Sequence, residues 1–398
     1  MKHLSPLFLL LLFALTVGAQ DAGRAAGVDD ASARQMNIRT LPTNALHRFV
    51  TDKCGCVAFL GGSITEMTGW KDRMKEDLQQ RFPDTHFTFI DAGIASTGST
   101  PHAFRMERDV FGQGIPDLLF VEAAVNDDTN YFTAIEQVRG MEGIVRHALS
   151  VNPLMDIVFL HFIYDPFIAI LDAGRQPEVI VNHERVAAHY GLSSLNLADE
   201  VARRMRAGEF TWQQFGGTHP APMGHRVYAA TINSLLDIAC EALPSAGEPV
   251  PHVLPEPLDA FSYAEGHLVN ISEATRLKGF QVDADWAPDD GAGVRSGFVH
   301  VPMLAASTAG SSFRLRFRGT AVGIFCVAGP QAGVLEYRVD HGPWKRLDTH
   351  TEWSGGLYIP WVYMFETELA DTRHTLRLRI AAGDRTACQI RDFVVNGR

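Results

Sequence analysis

The sequence predicts a three-layer α/β/α domain followed by an antiparallel β-sandwich. Two patterns carry this prediction. From about residue 57 to residue 240 short apolar runs alternate with helical stretches, whereas beyond residue 258 apolar residues alternate singly with polar ones. The first pattern is typical of a parallel sheet covered by helices, and the second is typical of strands with one buried face.

The first buried strand is predicted at residues 57–60, a continuous apolar run that ends at two glycines. Helices separate or follow this strand and its successors, because strands in a parallel sheet are joined by right-handed crossovers. We therefore expect a flavodoxin-like domain with its ligand site at the carboxyl edge of the sheet. The further strands are predicted at 87–90, 118–121 and 157–162, and the helices at about 70–82, 132–149, 178–190 and 223–240.

The second half of the chain alternates with a period of two residues. Phe313, Leu315 and Phe317 alternate with arginines, and the same pattern recurs at 376–380. Turns rich in Gly and Asp separate these strands, so we expect a sandwich of jelly-roll type. Five prolines within residues 243–258 indicate a linker or an extended strap between the two domains.

The first nineteen residues resemble a targeting segment. Lys2 is followed by an apolar run at 7–17 and by the small residues Val17, Gly18 and Ala19. The run is too short to span a hydrocarbon core of roughly 30 Å. Because Gln20 rather than Cys follows, we expect an exported, periplasmic or secreted chain without a membrane anchor. The expected divisions are a signal peptide at 1–19, an N-terminal segment at 20–45, the α/β domain at 46–242, the proline-rich linker at 243–258 and the β-sandwich at 259–398.

Composition excludes some classes of partner. The chain has 398 residues and a formal net charge of −11, and it contains no run of Lys and Arg. A nucleic-acid surface needs clustered basic residues, so we expect no nucleic-acid partner. The five cysteines do not have metal-ligand spacing, and their odd number leaves at least one thiol unpaired within a single chain. We expect neither a metal nor another cofactor, and the oligomeric state remains open.

Four short segments place polar groups just after predicted strands or before a helix. A serine after two glycines can act as a nucleophile if a base lies beside it, and a histidine on a proline-rich loop can be that base. A backbone N–H and an asparagine side chain can stabilise an oxyanion. In chain order the segments are Gly61-Gly62-Ser63-Ile64-Thr65, Asp91-Ala92-Gly93-Ile94-Ala95-Ser96, Ala124-Val125-Asn126-Asp127 and Gly217-Thr218-His219-Pro220.

These segments, in this order, resemble the SGNH (GDSL-type) hydrolase superfamily. The resemblance implies that Ser63 is the nucleophile and His219 the base. It also implies an oxyanion hole formed by the N–H groups of Ser63 and Ser96 and the side chain of Asn126. The superfamily usually has glycine at the position of Ser96. Since Gly98 lies only two residues further along, it is the alternative to Ser96. The superfamily usually has Asp at the position of Gly62.

The triad acid is missing from its usual place. The superfamily has this acid three residues before the histidine, where this chain has Gly216. Three explanations stay open: a Ser–His dyad oriented by a backbone carbonyl, an acid from elsewhere, or loss of activity. The candidate acids are Asp199 and Glu122. Glu122 precedes Asn126 by four residues, so on a strand the two side chains would point to the same face.

Taken together, these features predict an exported serine esterase that removes O-acetyl groups from carbohydrate, with plant cell-wall polysaccharides as the expected substrates. The resemblance extends to carbohydrate esterases that carry a second domain of this kind. The alternatives are a lipase or thioesterase and a catalytically inactive glycan-binding protein. The aromatic residues within 352–361 could stack on sugar rings or could belong to the core of the sandwich.

Overall fold

The computed structural model describes residues 35–397. The predicted signal peptide and its cleavage site at Ala19 lie outside these residues. Within them, no helix is long and apolar enough to cross a membrane.

The first domain is built on a six-stranded sheet in the order β1-β6-β5-β4-β2-β3. Strands β2 to β6 are parallel and only β1 is antiparallel to its neighbour. This is the flavodoxin-like order that the sequence predicts, and it places the carboxyl ends of β2, β3 and β4 side by side. The strands are Met36–Asn37 (β1), Cys54–Gly61 (β2), His86–Gly93 (β3), Leu118–Glu122 (β4), Asp156–Leu160 (β5) and Ser193–Leu195 (β6).

Helices cover both faces of this sheet. Val57 and Phe59 of β2 contribute to the hydrophobic core on one face, whereas Ala58 and Leu60 contribute to the core on the other. Burial on both faces explains why the predicted strand is a continuous apolar run. The helices are Thr43–Thr51 (α1), Ser63–Glu66 (α2), Trp70–Arg81 (α3), Ser99–Met106 (α4, continued by a π-helical turn at Glu107–Phe111), Ala124–Thr129 (α5), Ala134–Val151 (α6), Asp165–Asp172 (α7), Glu178–His189 (α8), Leu197–Arg206 (α9), Trp212–Phe215 (α10) and Pro222–Ala242 (α11).

Local capping determines where α6 begins. The sequence predicts a helix over 132–149, but the structure starts it at Ala134. Thr133 accepts a hydrogen bond from the N–H of Glu136, and the Glu136 carboxylate accepts one from the N–H of Thr133. This reciprocal capping box satisfies two N–H groups at the helix start, so the helix begins after Thr133.

The proline-rich segment lies against the α/β domain as a strap. The N–H of His252 donates to the carbonyl of Pro153, and the His252 ring lies 2.9 Å from the Asp156 carboxylate. Further along, the N–H groups of Leu258 and Asp259 donate to the buried carboxylate of Glu142. The segment therefore has specific contacts along its length, unlike a flexible tether.

The second domain is a sandwich of a seven-stranded and a five-stranded sheet. Eight strands are divided between the two sheets in jelly-roll order, β11-β18-β13-β16 in one and β12-β17-β14-β15 in the other. The strands are Gly266–Asn270 (β7), Thr275–Lys278 (β8), Gln281–Trp286 (β9), Gly293–Val294 (β10), Val301–Ala306 (β11), Ser312–Gly319 (β12), Ala321–Ala328 (β13), Val334–Val339 (β14), Lys345–Asp348 (β15), Leu357–Glu366 (β16), Thr372–Ile380 (β17) and Cys388–Asn396 (β18).

The seven-stranded sheet packs against the α/β domain. One hydrophobic cluster includes Phe104 and Met141 of the first domain together with Phe325 and Val394 of the second. Ion pairs flank it, among them Arg108 to Asp392 at 2.9 Å. Burial of a shared apolar core holds the two domains in one arrangement. The five-stranded sheet therefore lies on the far side of the sandwich.

Candidate active site

The proposed nucleophile and base are in direct contact. Ser63 lies immediately beyond β2, where it starts the short helix α2, and His219 lies on the loop before α11. The Oγ atom of Ser63 is 2.8 Å from Nε2 of His219, a hydrogen-bonding distance. The parallel sheet and the final helix thus bring together two residues that are far apart in sequence.

Two glycines shape the loop that carries His219. Helix α10 ends at Phe215; Gly216 follows with φ +110° and Gly217 with φ +77°. After this left-handed turn, the N–H of Ala221 donates to the carbonyl of Phe215 and closes the loop. A Cβ on Gly216 would overlap the backbone nitrogen of Ala221. The position where the superfamily carries its acid therefore has no room for a side chain in this fold.

The environment of His219 favours the neutral imidazole. Partial burial of the ring lowers the pKa of His219, and the positive charge of Arg295 lowers it further. A base must be unprotonated to accept the proton of Ser63. The direction of this pKa shift therefore suits a general base.

Asn126 lies over the turn at residues 61–63, which carries the proposed nucleophile and is called the nucleophile turn below. It belongs to α5, which begins two residues after β4 ends. A Cβ on Gly62 would overlap Oδ1 of Asn126, so the asparagine occupies the space that a side chain at position 62 would need. A larger residue at position 62 would therefore require the Asn126 side chain to shift. The contact with Gly62 also places the amide of Asn126 beside Ser63.

Ser96 has the backbone conformation of a glycine. Its φ is +69°, in the left-handed region, and its carbonyl accepts a hydrogen bond from the side chain of Asn130. Among residues 35–397 no protein acceptor faces the N–H of Ser63 or that of Ser96. Both N–H groups are thus available to a ligand.

Gly98, the alternative to Ser96, lies at the start of α4 instead. It is the N-cap residue of that helix, and the carboxylate of Asp127 lies against it. Oδ1 of Asp127 accepts a hydrogen bond from the N–H of Ser99, and Oδ2 lies 2.9 Å from the buried ring of His183. The space that Asp127 occupies explains why residue 98 is glycine, so no oxyanion role for Gly98 is needed to explain it.

The structure places neither Asp199 nor Glu122 beside His219, so neither candidate serves as the acid that was expected from elsewhere in the chain. Asp199 lies in the first turn of α9, where it accepts a hydrogen bond from Gln35. Glu122 is fully buried beneath the nucleophile turn, where its Oε1 accepts hydrogen bonds from the N–H of Gly62 and the hydroxyl of Thr65. Burial raises the pKa of Glu122 to about 7. Strand β4 ends at Glu122 and Asn126 is helical, so the strand spacing that suggested a shared face does not apply.

The sequence analysis did not identify Arg295. This residue follows strand β10 of the sandwich, and its Nη2 donates to Oγ of Ser96 at 3.0 Å. Its charge also acts on His219. The β-sandwich therefore supplies a cation to a site that the α/β domain otherwise forms. No local motif surrounds this arginine, and only the packing of the two domains reveals its position.

Comparison with known proteins agrees with this geometry. Residues 59–227 match the GDSL-like Lipase/Acylhydrolase family. The α/β domain is a GDSL-like acylhydrolase domain. The matched region contains Ser63, Ser96, Asn126 and His219. The chain accordingly carries a carboxylic ester hydrolase domain. A search of curated protein sequences gives no match.

One two-domain esterase of known structure shares the fold of both the acylhydrolase domain and the sandwich. A two-domain esterase active on acetylated mannans, solved alone and with mannopentaose, superposes with a TM-score of 0.75 at 22% identity. The match covers 92% of this chain and 98% of that one. An acetylxylan esterase from Geobacillus stearothermophilus matches with a TM-score of 0.36 at 18% identity, over 46% of this chain and 94% of that one. The first comparison shows that the two-domain fold is shared.

Proposed function

We propose that this chain is an exported serine esterase that removes O-acetyl groups from polysaccharide. The 2.8 Å contact between Ser63 Oγ and His219 Nε2, on a GDSL-like domain, carries the proposal. The open N–H groups of Ser63 and Ser96 and the amide of Asn126 support it. Export rests on the sequence of residues 1–19 alone.

Deacetylation proceeds in two steps. His219 takes the proton of Ser63 as Oγ attacks the acetyl carbonyl carbon, and the oxyanion forms among the three donors. The bond between this carbon and the sugar oxygen then breaks, and His219 protonates the departing hydroxyl. Water next attacks the acetyl-serine with His219 again as base, which releases acetate and restores Ser63.

A Ser–His dyad suits the observed surroundings of the base. In the described part of the chain the hydrogen bond of His219 is to Ser63, and no carboxylate lies within bonding distance of its ring. Where a triad has an anion that stabilises the charged imidazole, this site has the cation Arg295 near Ser96 and His219. We propose that Arg295 favours the neutral base and adds positive charge near the developing oxyanion.

Exposed aromatic residues from both domains support a carbohydrate substrate. Tyr131, just beyond the Asn126 helix, is 76% exposed, and Trp353 of the sandwich is 47% exposed. The Tyr131 hydroxyl donates to the carboxylate of Glu352, so the two aromatic residues lie along one junction between the domains. Tyr358, from the same aromatic stretch, is buried in the core. Exposed aromatic rings present flat apolar faces on which sugar rings can stack.

Acetylated mannan is the first substrate to test, because the two-domain structural neighbour acts on acetylated mannans. Acetylated xylan, xyloglucan and pectin complete the plant cell-wall panel. A glycan-binding protein without catalytic activity is the second candidate function. One observation favours it: Gly216 stands where the superfamily has its acid. This second candidate predicts binding to these polymers without release of acetate.

The decisive experiment measures acetate release from these four polymers and from 4-nitrophenyl acetate. We expect activity in the wild type and a loss of at least about 10³-fold in Ser63→Ala, since the nucleophile is removed. Ser150→Ala, on an exposed helix position, is the matched control and should retain full activity. Absence of acetate release by folded wild-type protein, together with retained polymer binding, would favour the inactive glycan-binding alternative.

A further inference from the structure

The outer face of the five-stranded sheet is covered with arginines. Strands β12, β14 and β17 each bury alternate apolar residues, and the residues between them point away from the core. The backbone register places these outward residues side by side. We call this surface the arginine face; it consists of Arg314, Arg316, Arg318, Arg338, Arg346, Arg373, Arg377 and Arg379.

Few acidic groups balance this charge. Glu336 pairs with Arg379 at 2.7 Å and lies 3.7 Å from Arg346, and Asp371 lies 3.6 Å from Arg318. The remaining five arginines of the face have no ion pair with any residue in the range 35–397. This concentration is unexpected in a chain whose formal net charge is −11. It forms only on folding, because the arginines come from separate strands.

The arginines lie opposite one another across the sheet. Arg314 is directly opposite Arg377, Arg377 is opposite Arg338, and Arg318 is opposite Arg373. Like charges in directly opposite positions destabilise a sheet. The fold therefore retains a repulsive arrangement that a bound polyanion would relieve.

A tryptophan lies within the same surface. Trp344, in the turn between β14 and β15, packs against the guanidinium groups of Arg338 and Arg379, whose central carbons are 4.9 and 4.4 Å from the centre of its ring. The ring is 39% exposed. Guanidinium groups bind carboxylates in a bidentate manner, and an indole ring can stack on a sugar. This combination fits a glycan that bears carboxylates better than it fits a lipid surface.

We propose that the arginine face binds an acidic polysaccharide through the carboxylates of its uronate residues. The face lies on the sheet remote from the α/β domain, so this binding is separate from the esterase site. An esterase tethered in this way to an acidic polymer would be held near acetylated chains in the same material.

Binding to sodium polygalacturonate tests the proposal, with fully methyl-esterified polygalacturonate as the uncharged counterpart. We expect isothermal titration calorimetry to show binding to the first polymer that weakens as NaCl is added, and none to the second. The triple variant Arg314→Gln, Arg316→Gln, Arg377→Gln should bind at least about tenfold more weakly. An exposed triple in the α/β domain, Arg175→Gln, Arg185→Gln, Arg226→Gln, is the matched control and should bind as the wild type does.

Folding and esterase activity are measured separately. The melting temperature should not fall in either triple variant, and it should rise in the first, which removes the directly opposed charges of Arg314 and Arg377. Hydrolysis of 4-nitrophenyl acetate should be unchanged in both triple variants, and Ser63→Ala should bind polygalacturonate as the wild type does. Failure of the proposed esterase function would therefore leave this test intact. The proposal is overturned if the wild type does not bind polygalacturonate or if the first triple variant binds it normally. Binding to phosphatidylglycerol vesicles without binding to polygalacturonate would also overturn it.

Discussion

At the scale of single residues, the charge environment of His219 is the reverse of that in a triad. The imidazole contacts Ser63 but no carboxylate among the described residues, and the nearby charged group is the guanidinium of Arg295. A cation near the ring disfavours imidazolium, so the base remains neutral at lower pH. The same cation contacts Ser96, one of the proposed oxyanion donors.

Replacement of Arg295 by methionine tests this arrangement. The pKa of His219 lies below its ordinary value in the wild type, so kcat/KM for 4-nitrophenyl acetate should fall only as the pH drops below the ordinary histidine range. Removal of the positive charge should raise the pKa of His219. The acidic limb of the plot of kcat/KM against pH should therefore move to higher pH. Arg276→Met, at an exposed position in β8, should leave the limb in place. An unchanged limb in Arg295→Met would contradict the electrostatic role.

At the scale of elements, the turn that joins α10 to the His219 loop determines whether an acid can occupy its usual position. Gly216 and Gly217 both have positive φ, but only Gly216 lies against another backbone segment. The carbonyl of Phe215 accepts the N–H of Ala221 across this turn, which brings the two segments together. The missing acid is therefore a consequence of how the loop closes.

Restoration of the acid by Gly216→Asp should destabilise the protein without raising activity. The new Cβ would overlap the Ala221 nitrogen, and a left-handed conformation adds strain, so we expect a loss of more than about 2 kcal/mol in the free energy of unfolding. The matched variant is Gly217→Asp, which has a similar positive φ but open space at its Cβ. It should lose less stability in urea denaturation. Equal losses, or a gain in esterase activity in Gly216→Asp, would contradict this explanation.

At the scale of the whole molecule, the sandwich forms part of the candidate active site. Arg295 donates a hydrogen bond to Ser96, and Glu352 accepts one from the hydroxyl of Tyr131. Two residues of the second domain therefore contact the first domain on the side of the candidate active site. The shared hydrophobic core fixes these contacts in space. A polymer bound at this junction would contact both domains, whereas a small ester would not reach the aromatic residues of the sandwich.

Trp353→Ala should therefore separate polymer from small substrate. Loss of one stacking ring, worth about 1 kcal/mol, should raise KM for acetylated mannan about fivefold while kcat/KM for 4-nitrophenyl acetate stays constant. Val181→Ala removes another exposed apolar side chain, in α8 of the first domain, and serves as the control. Equal KM values for the polymer in the two variants would show that Trp353 is not part of the candidate active site.

The sequence by itself determined the features that depend on neighbouring residues. Burial on both faces makes residues 57–60 of β2 continuously apolar, and the two glycines that follow this run predict the turn that carries Ser63. Alternation with a period of two correctly predicted that β12 and β17 would each bury one face. The order of the four segments predicted the acylhydrolase domain, because it resembles the order found in the SGNH hydrolase superfamily.

Tertiary structure alone decided the features that depend on which elements become neighbours. Glu122 was one of two candidate acids for His219, but β4 ends at Glu122 and its buried carboxylate accepts a hydrogen bond from the N–H of Gly62 instead. Arg295 reaches Ser96 only because the sandwich packs against the α/β domain. The arginines of β12, β14 and β17 form one charged face only because jelly-roll pairing aligns strands that are distant in sequence. Local patterns report burial and backbone conformation, whereas contacts between distant segments arise from packing.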